Sequence, residues 1–222
     1  MFVLLKRKKI NTSKINKIYS NHLYTGLNGL LMSHCHKQLE KTLPYGNYKK
    51  ILEIGAGSHP HYNYLKDKQC EYTILEKNIN KKLSKKFKYK TSKVNKIPFK
   101  NNSFDRIIIS HTLEHVPDPE KFIKEMMLKL KKGAILSISL PTDPGLLWRM
   151  GRLFNKIFTL KKEFKFSPIE YDYMNAIEHI NSIFNLINII RYNYKDKIIE
   201  QFLPFRIKIL DTNLFYNVHI IK

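Results

Sequence analysis

Ile51-Leu52-Glu53-Ile54-Gly55-Ala56-Gly57-Ser58 is a short apolar and β-branched run that ends in a glycine-rich turn. A run of this length, apolar on consecutive residues, suits a strand buried on both faces of a parallel sheet. The two glycines after it let the chain turn sharply and let a ligand lie against bare backbone.

Working outward, Tyr72-Thr73-Ile74-Leu75-Glu76 reads as a second strand ending in an acid, and Phe87–Thr91 as an edge strand. Phe104–Ser110 reads as a strand with the continuous apolar run Ile107-Ile108-Ile109, and Ala134–Leu140 as another strand. Helical patterns fall between them at His59–Lys66, Asn80–Phe87 and Pro119–Lys131, the last closed by Gly133. Alternation of this kind predicts right-handed crossovers and a doubly wound, Rossmann-like α/β sheet. After Pro141 the pattern changes: Leu146–Phe158 is apolar and aromatic, Glu178–Leu186 reads as a helix, and Ile187–Tyr194 and Asn213–Ile221 read as strands. Before residue 50, Ile10–Leu43 predicts one or two helices bent near Gly26 and Gly29, ended by Pro44 and Gly46. The expected organisation is a helical cover over residues 1–49 and one domain over 50–222.

Composition narrows the function classes. With 43% hydrophobic residues the chain can bury a full core, which excludes global disorder. No apolar run reaches the roughly 18–20 residues that cross a bilayer. Met1-Phe2-Val3-Leu4-Leu5-Lys6-Arg7-Lys8-Lys9 puts its apolar patch before its charges, the wrong order for a secretory leader. Cys35 and Cys70 share no redox or metal spacing, so a reduced cytoplasmic setting is expected. His34-Cys35-His36 looks metal-like, but on a helix the three side chains part, and no metal is expected. The formal charge of +22 is almost all lysine, with ten lysines and no acid between Lys77 and Lys100. Base and phosphate readout favours arginine, which is scarce here, so nucleic acid is not the expected partner; weak association with an anionic membrane surface is the alternative that the charge leaves open.

The glycine loop alone fits several nucleotide cofactors. A pyrophosphate cradle wants a third glycine three positions after the second, and here that position is Pro60. This disfavours a nicotinamide-dependent oxidoreductase and suits an adenosine without phosphates. Glu76 lies 21 residues after Gly55, about where a strand-ending carboxylate accepts hydrogen bonds from a ribose diol.

The third element is Ile97-Pro98-Phe99-Lys100-Asn101-Asn102-Ser103-Phe104-Asp105, running through Ile107-Ile108-Ile109-Ser110-His111-Thr112-Leu113-Glu114-His115 into Val116-Pro117-Asp118-Pro119. Here the chain resembles class I S-adenosylmethionine-dependent methyltransferases, and within them the type 11 family. Members read (L/I)-P-F, a few polar residues, S-F-D, an apolar strand and a stretch like L-E-H-V-P-D-P. The likeness covers about residues 50–141. It implies a seven-stranded mixed sheet with an antiparallel last strand, S-adenosylmethionine as cofactor, and methyl transfer to a small-molecule or lipid-linked acceptor such as a quinone precursor or glycolipid intermediate. It implies that Glu53, Gly55, Ala56 and Gly57 meet the methionine part of the cofactor and Glu76 its ribose. Ser110 then lies beneath the sulfonium. Lys93 and Val94 stand near the adenine, where the family often has an Asp, and Lys93 is the best argument for a rival reading as a non-catalytic basic binding module.

Sulfonium is already a strong electrophile, so the transfer mainly needs the acceptor held about 3–3.5 Å from the methyl. A base helps where the acceptor is a hydroxyl or an enolisable carbon. His111 and His115 are the expected catalytic candidates, with Glu114 and His179 behind them. Trp148 and the apolar run around it could wall the acceptor or face a membrane, with Arg149 and Arg152 for an anionic group.

Overall fold

The computed structural model describes residues 24–92, 97–159 and 168–222. Its centre is a seven-stranded sheet. Strands β1 (Lys50–Ile54), β2 (Glu71–Glu76), β3 (Lys88–Thr91), β4 (Phe104–Ser110) and β5 (Leu130–Pro141) run parallel to their neighbours. Strand β7 (Phe215–Ile221) is antiparallel to both β5 and β6 (Ile198–Leu203), and the spatial order is β3-β2-β1-β4-β5-β7-β6. This is the doubly wound sheet with an antiparallel last strand that the motifs imply.

Both faces are buried, and the twofold alternation of the strands divides the core accordingly. Leu52, Ile54, Ile107 and Ile109 face one way, against helix α3 (Pro119–Lys129) and helix α6 (Ile183–Tyr194). Ile51, Ile74 and Ile108 face the other way, where Leu39 of helix α1 (Gly26–Lys41) and Leu83 of the short helix α2 (Lys81–Ser84) meet them. Met32 and Cys35 of α1 pack with Leu203 and Phe215. The cover helix is therefore seated on the sheet rather than hung from it. It runs unbroken through Gly29, whose missing side chain admits the Tyr24 carbonyl, where a Cβ would come within 2.5 Å.

Several expected elements differ: Glu178–Leu186 is not one helix, since one helix ends at Glu178 and α6 begins at Ile183. Ile187–Tyr194 is the second half of α6, not a strand; Ser182 caps the helix by accepting from the Asn185 amide at 3.3 Å. Ile183, Leu186, Ile187 and Ile190 recur at helical spacing on its buried side. The strand that neighbours β7 is β6 instead. Second, α3 ends at Lys129 and β5 starts at once, so Gly133 lies within that strand at φ +74°. Third, His59–Lys66 holds a single tight turn, His61–Tyr64, because the His61 amide is drawn to the Glu53 carboxylate. Two further helices follow β5: α4 (Leu146–Phe154) and α5 (Pro168–Glu178). None of the described helices is long and apolar enough to cross a membrane.

Candidate functional site

Strand order reverses between β1 and β4, and ligands of such sheets sit outside the carboxyl ends of strands at that point. The register brings the separated motifs to one level. Ile54 pairs with both Leu75 and Ile109, so Gly55, Glu76 and Ser110 leave the sheet side by side.

The loop after β1 has two glycines with different duties. Gly55 sits at φ +76°, and a Cβ there would fall 2.1 Å from Thr112 Oγ1. Gly57, at φ +55°, faces open space instead. The Gly57 amide donates to Glu76 Oε1 at 2.6 Å, and its carbonyl accepts from Asn80 Nδ2 at 3.2 Å. Burial raises the Glu76 pKa, and the Gly57 amide works against that rise. Ala56 is buried in the core beneath the loop.

Glu53 is buried. Its carboxylate accepts from the His61 amide at 2.9 Å and from the Tyr72 hydroxyl at 2.6 Å. Burial pushes its pKa up to about 7, against those two donors. These bonds tie the end of β1 to the turn at His61–Tyr64 and to Tyr72 of β2. Around it lies a network that spans four elements. His61 Nε2 donates to Glu40 Oε1 at 2.9 Å, which leaves His61 Nδ1 to accept from His36 Nδ1 at 2.8 Å. The buried Arg106 guanidinium pairs with Glu40 and donates from Nε to Ser137 Oγ at 2.9 Å. In His34-Cys35-His36 the side chains do part: Cys35 reaches Ser139 and Asn217, His36 reaches His61, and His34 is exposed.

At the end of β4, Ser110 is buried and its hydroxyl has no partner among the described residues. His111 has φ +50°, and its backbone amide donates to the Ser139 carbonyl at 2.9 Å. Burial, then the neighbouring His179 and His115, hold its pKa down at about 3, so it is a neutral imidazole, and Nε2 is unpaired. His115 donates from Nδ1 to the Glu178 carbonyl at 2.6 Å, tying the β4–α3 loop to the end of α5. Glu114 is buried, which pushes its pKa up to about 7, and its Oε2 has no partner.

Beyond β5, Asp143 accepts from His179 Nδ1 at 2.7 Å and pairs with Arg152. These residues, with Asn175 and Asn181, line a cavity of about 350 Å³. Arg152 is thus already neutralised, while Arg149 is exposed. Trp148 is half-buried and packs edge-on against Phe215, 6.0 Å between centroids. Lys93 and Val94 lie outside the described residues.

Asn80 and Thr112 are the residues that the motifs did not point to. Asn80 caps α2 through Oδ1 while bracing Gly57, and Thr112 fills the space that Gly55 leaves. An Asn at the head of a helical run is the signal that could have marked the cap, but its second bond depends on register.

The buried imidazoles predict an acid-sensitive fold. Burial holds His219 at about 3 and His111 at about 3, and lowers His36 and His61 as well. Unfolded, each binds a proton below about pH 6.5. Their stabilisation is therefore complete above about pH 6.5 and lost as pH falls. Glu40 adds to this at lower pH: burial alone would raise its pKa, but His61 and Arg106 bring it to about 2. Glu53 and Glu114, raised by burial to about 7, work the other way, stabilising below about 4.5 and ceasing to do so as pH rises through 7. Glu76, also raised by burial, works with them, and four imidazoles outweigh three carboxyls between about pH 4.5 and 6.5. Urea unfolding at pH 4.5, 5.5 and 6.5 should show stability rising with pH, and a flat or falling trend would contradict these ionisation states.

Comparison with known proteins gives the family and the fold. A family model described as a methyltransferase domain matches residues 29–191. An uncharacterized protein of Methanocaldococcus jannaschii is 27% identical over 140 residues, 61% of each chain. A demethylmenaquinone methyltransferase of Paenarthrobacter aurescens is 29% identical over 107 residues, 46% of this chain and 42% of that one. The chain thus spans less than two thirds of the length of these curated relatives. An S-adenosylmethionine-dependent methyltransferase of Thermotoga maritima shares the fold, with a TM-score of 0.62 at 20% identity over 96% of this chain and 100% of that chain.

Proposed function

The chain belongs to the methyltransferase-domain family, and from that premise we propose that it moves a methyl group from S-adenosylmethionine to an acceptor with an apolar body. The observation that carries the first half is the convergence of Gly57, Glu76 and Ser110 at the reversal of strand order. In this reading residues 50–222 are the catalytic domain and residues 1–49 its cover. Gly55 and Gly57 give the cofactor its backbone surface, with Ala56 and Glu53 supporting them from below. Glu76 takes the ribose diol, a carboxylate having acceptor capacity beyond the one Gly57 amide. Replacing Glu76 with alanine should weaken S-adenosylhomocysteine binding by about 1–3 kcal/mol, roughly 5- to 150-fold, through lost charge-assisted bonds. Isothermal titration checks this, and unchanged affinity in a folded variant would remove Glu76 from the site.

His111 acts on the acceptor. An imidazole with a pKa near 3 is a poor proton acceptor at neutral pH, so its part is to accept a hydrogen bond that orients the nucleophile. His115 has its Nδ1 committed to Glu178, which leaves Nε2 as its one nitrogen open to an acceptor.

The apolar nature of the acceptor rests on where the exposed side chains are. Of the twenty large hydrophobic residues exposed among the described residues, thirteen lie in 146–157, 169–184 and 205–209. These segments follow β5 or join β6 to β7, on the edge where ligands bind. Leu146 is tied to Asp211 and Lys156 to Asp172, which joins them into one surface. Arg149, Arg206 and Lys208 are exposed within it. An apolar patch with cationic points suits the inner face of an anionic membrane, where a quinone precursor or a glycolipid intermediate would be presented. Leu153→Glu with Ile207→Glu should abolish co-sedimentation with phosphatidylglycerol vesicles at low salt and leave cofactor binding intact. Equal sedimentation of variant and parent would contradict this docking.

A further inference from the structure

Glu114, His115 and His179 each offer one ligand atom, and the three atoms lie within 4.8 Å of one another. The methyl-transfer reading gives Glu114 and His179 no task. Sequence spacing hides the group, because His179 comes 64 residues after His115 and reaches it only through the α5–α6 turn.

The partners of the two rings decide what the group can do. His115 donates from Nδ1 to the Glu178 carbonyl at 2.6 Å. His179 Nδ1 lies 2.7 Å from Asp143 Oδ2, which only accepts, and 3.3 Å from the Arg152 guanidinium, which only donates; the shorter contact to the carboxylate makes Nδ1 the donor. A ring whose one proton sits on Nδ1 carries its lone pair on Nε2. Histidines that ligate metals are oriented in just this way, by a carbonyl or carboxylate on the other nitrogen. Glu114 supplies the anion: its Oε1 is 3.8 Å from His115 Nε2, and Oε2 is buried with no partner among the described residues. A buried carboxylate oxygen left unpaired is costly, and an ion pair with a half-exposed imidazole at 3.8 Å does not satisfy it. The nearby Arg152 does not oppose a cation, since Asp143 neutralises it.

We propose that Glu114, His115 and His179 form a binding site for one first-row divalent cation of the zinc class, with its open side toward the 350 Å³ cavity beside His179. Two imidazoles and one carboxylate with a remaining position are a donor set that zinc accepts. Bonds of about 2.0–2.1 Å in a tetrahedral shell put ligand atoms about 3.3 Å apart, so binding draws the three groups together by up to about 1.5 Å. The side chain of His115, 34% exposed, has room for that rotation.

The test uses the purified chain stripped with a chelator and titrated with Zn2+ by calorimetry and with Co2+ by visible absorption. One equivalent should bind, with Co2+ giving the intense ligand-field bands of a low-coordinate N/O site. Glu114→Gln and His179→Gln should each weaken Zn2+ binding by about 100-fold or more and abolish the Co2+ bands. His34→Ala, in the exposed residue of the misleading His-Cys-His run, should change neither. Zn2+ should also raise the melting temperature of the parent and not of His179→Gln, which keeps the test informative if Glu114→Gln fails to fold. Absence of stoichiometric binding to the parent, or parent-like binding by His179→Gln, overturns the site. Neither result touches cofactor binding, which is read separately with S-adenosylhomocysteine.

Discussion

Gly57→Val should abolish measurable S-adenosylmethionine binding while the sheet stays folded. A Cβ at Gly57 meets nothing within 4 Å, so the added side chain enters the space assigned to the cofactor rather than the protein's own core. Valine also resists the φ of +55° that this position adopts, which strains the turn and pulls at the hydrogen bond from the Gly57 amide to Glu76. Loss of both the space and the loop shape should lower affinity by at least about 100-fold, or about 2.7 kcal/mol. Circular dichroism should show an unchanged fold. Gly55→Ala is the contrasting variant: its Cβ meets Thr112 at 2.1 Å, so that substitution should destabilise the protein itself. Retained cofactor affinity in Gly57→Val would mean that the ligand does not lie over this turn.

Glu40→Leu should cost about 3–5 kcal/mol of stability, because it strands the Arg106 guanidinium in the core. Arg106 is 1% exposed, and Glu40 is its carboxylate partner. The same change removes the acceptor of His61 Nε2, which in turn orders the turn that binds Glu53. The double variant Glu40→Leu/Arg106→Met should recover most of the loss, since an apolar pair does not leave a buried charge unmatched. Urea unfolding of the three variants measures both terms. A small effect of Glu40→Leu alone would show that the cover helix is not held by this pair.

The parts of the fold that the sequence announced are those where local pattern and tertiary role coincide. β1, β4 and β5 are continuous apolar runs next to glycine, a polar turn or proline, and burial on both faces makes the pattern plain. Gly55, Gly57 and Glu76 were legible from spacing because the crossover between parallel strands fixes the number of residues that separate them. The region after Pro141 was harder. In α6 the run Leu186-Ile187-Asn188-Ile189-Ile190 is too densely apolar for periodicity to distinguish helix from strand, and β6 begins beside the charged Lys195-Asp196-Lys197. The Glu40–His61–Arg106–His36 network and the Glu114–His115–His179 cluster were invisible for a different reason. Their members sit on elements far apart in sequence, and only the packed sheet brings them together.

Binding of the methyl donor's product is the most direct test of the site. Isothermal titration of the purified chain with S-adenosylhomocysteine should give saturable one-to-one binding in the range of roughly 1 μM to 1 mM usual for enzyme ligands. Absence of saturable heat at millimolar ligand, from protein shown to be folded, would contradict it.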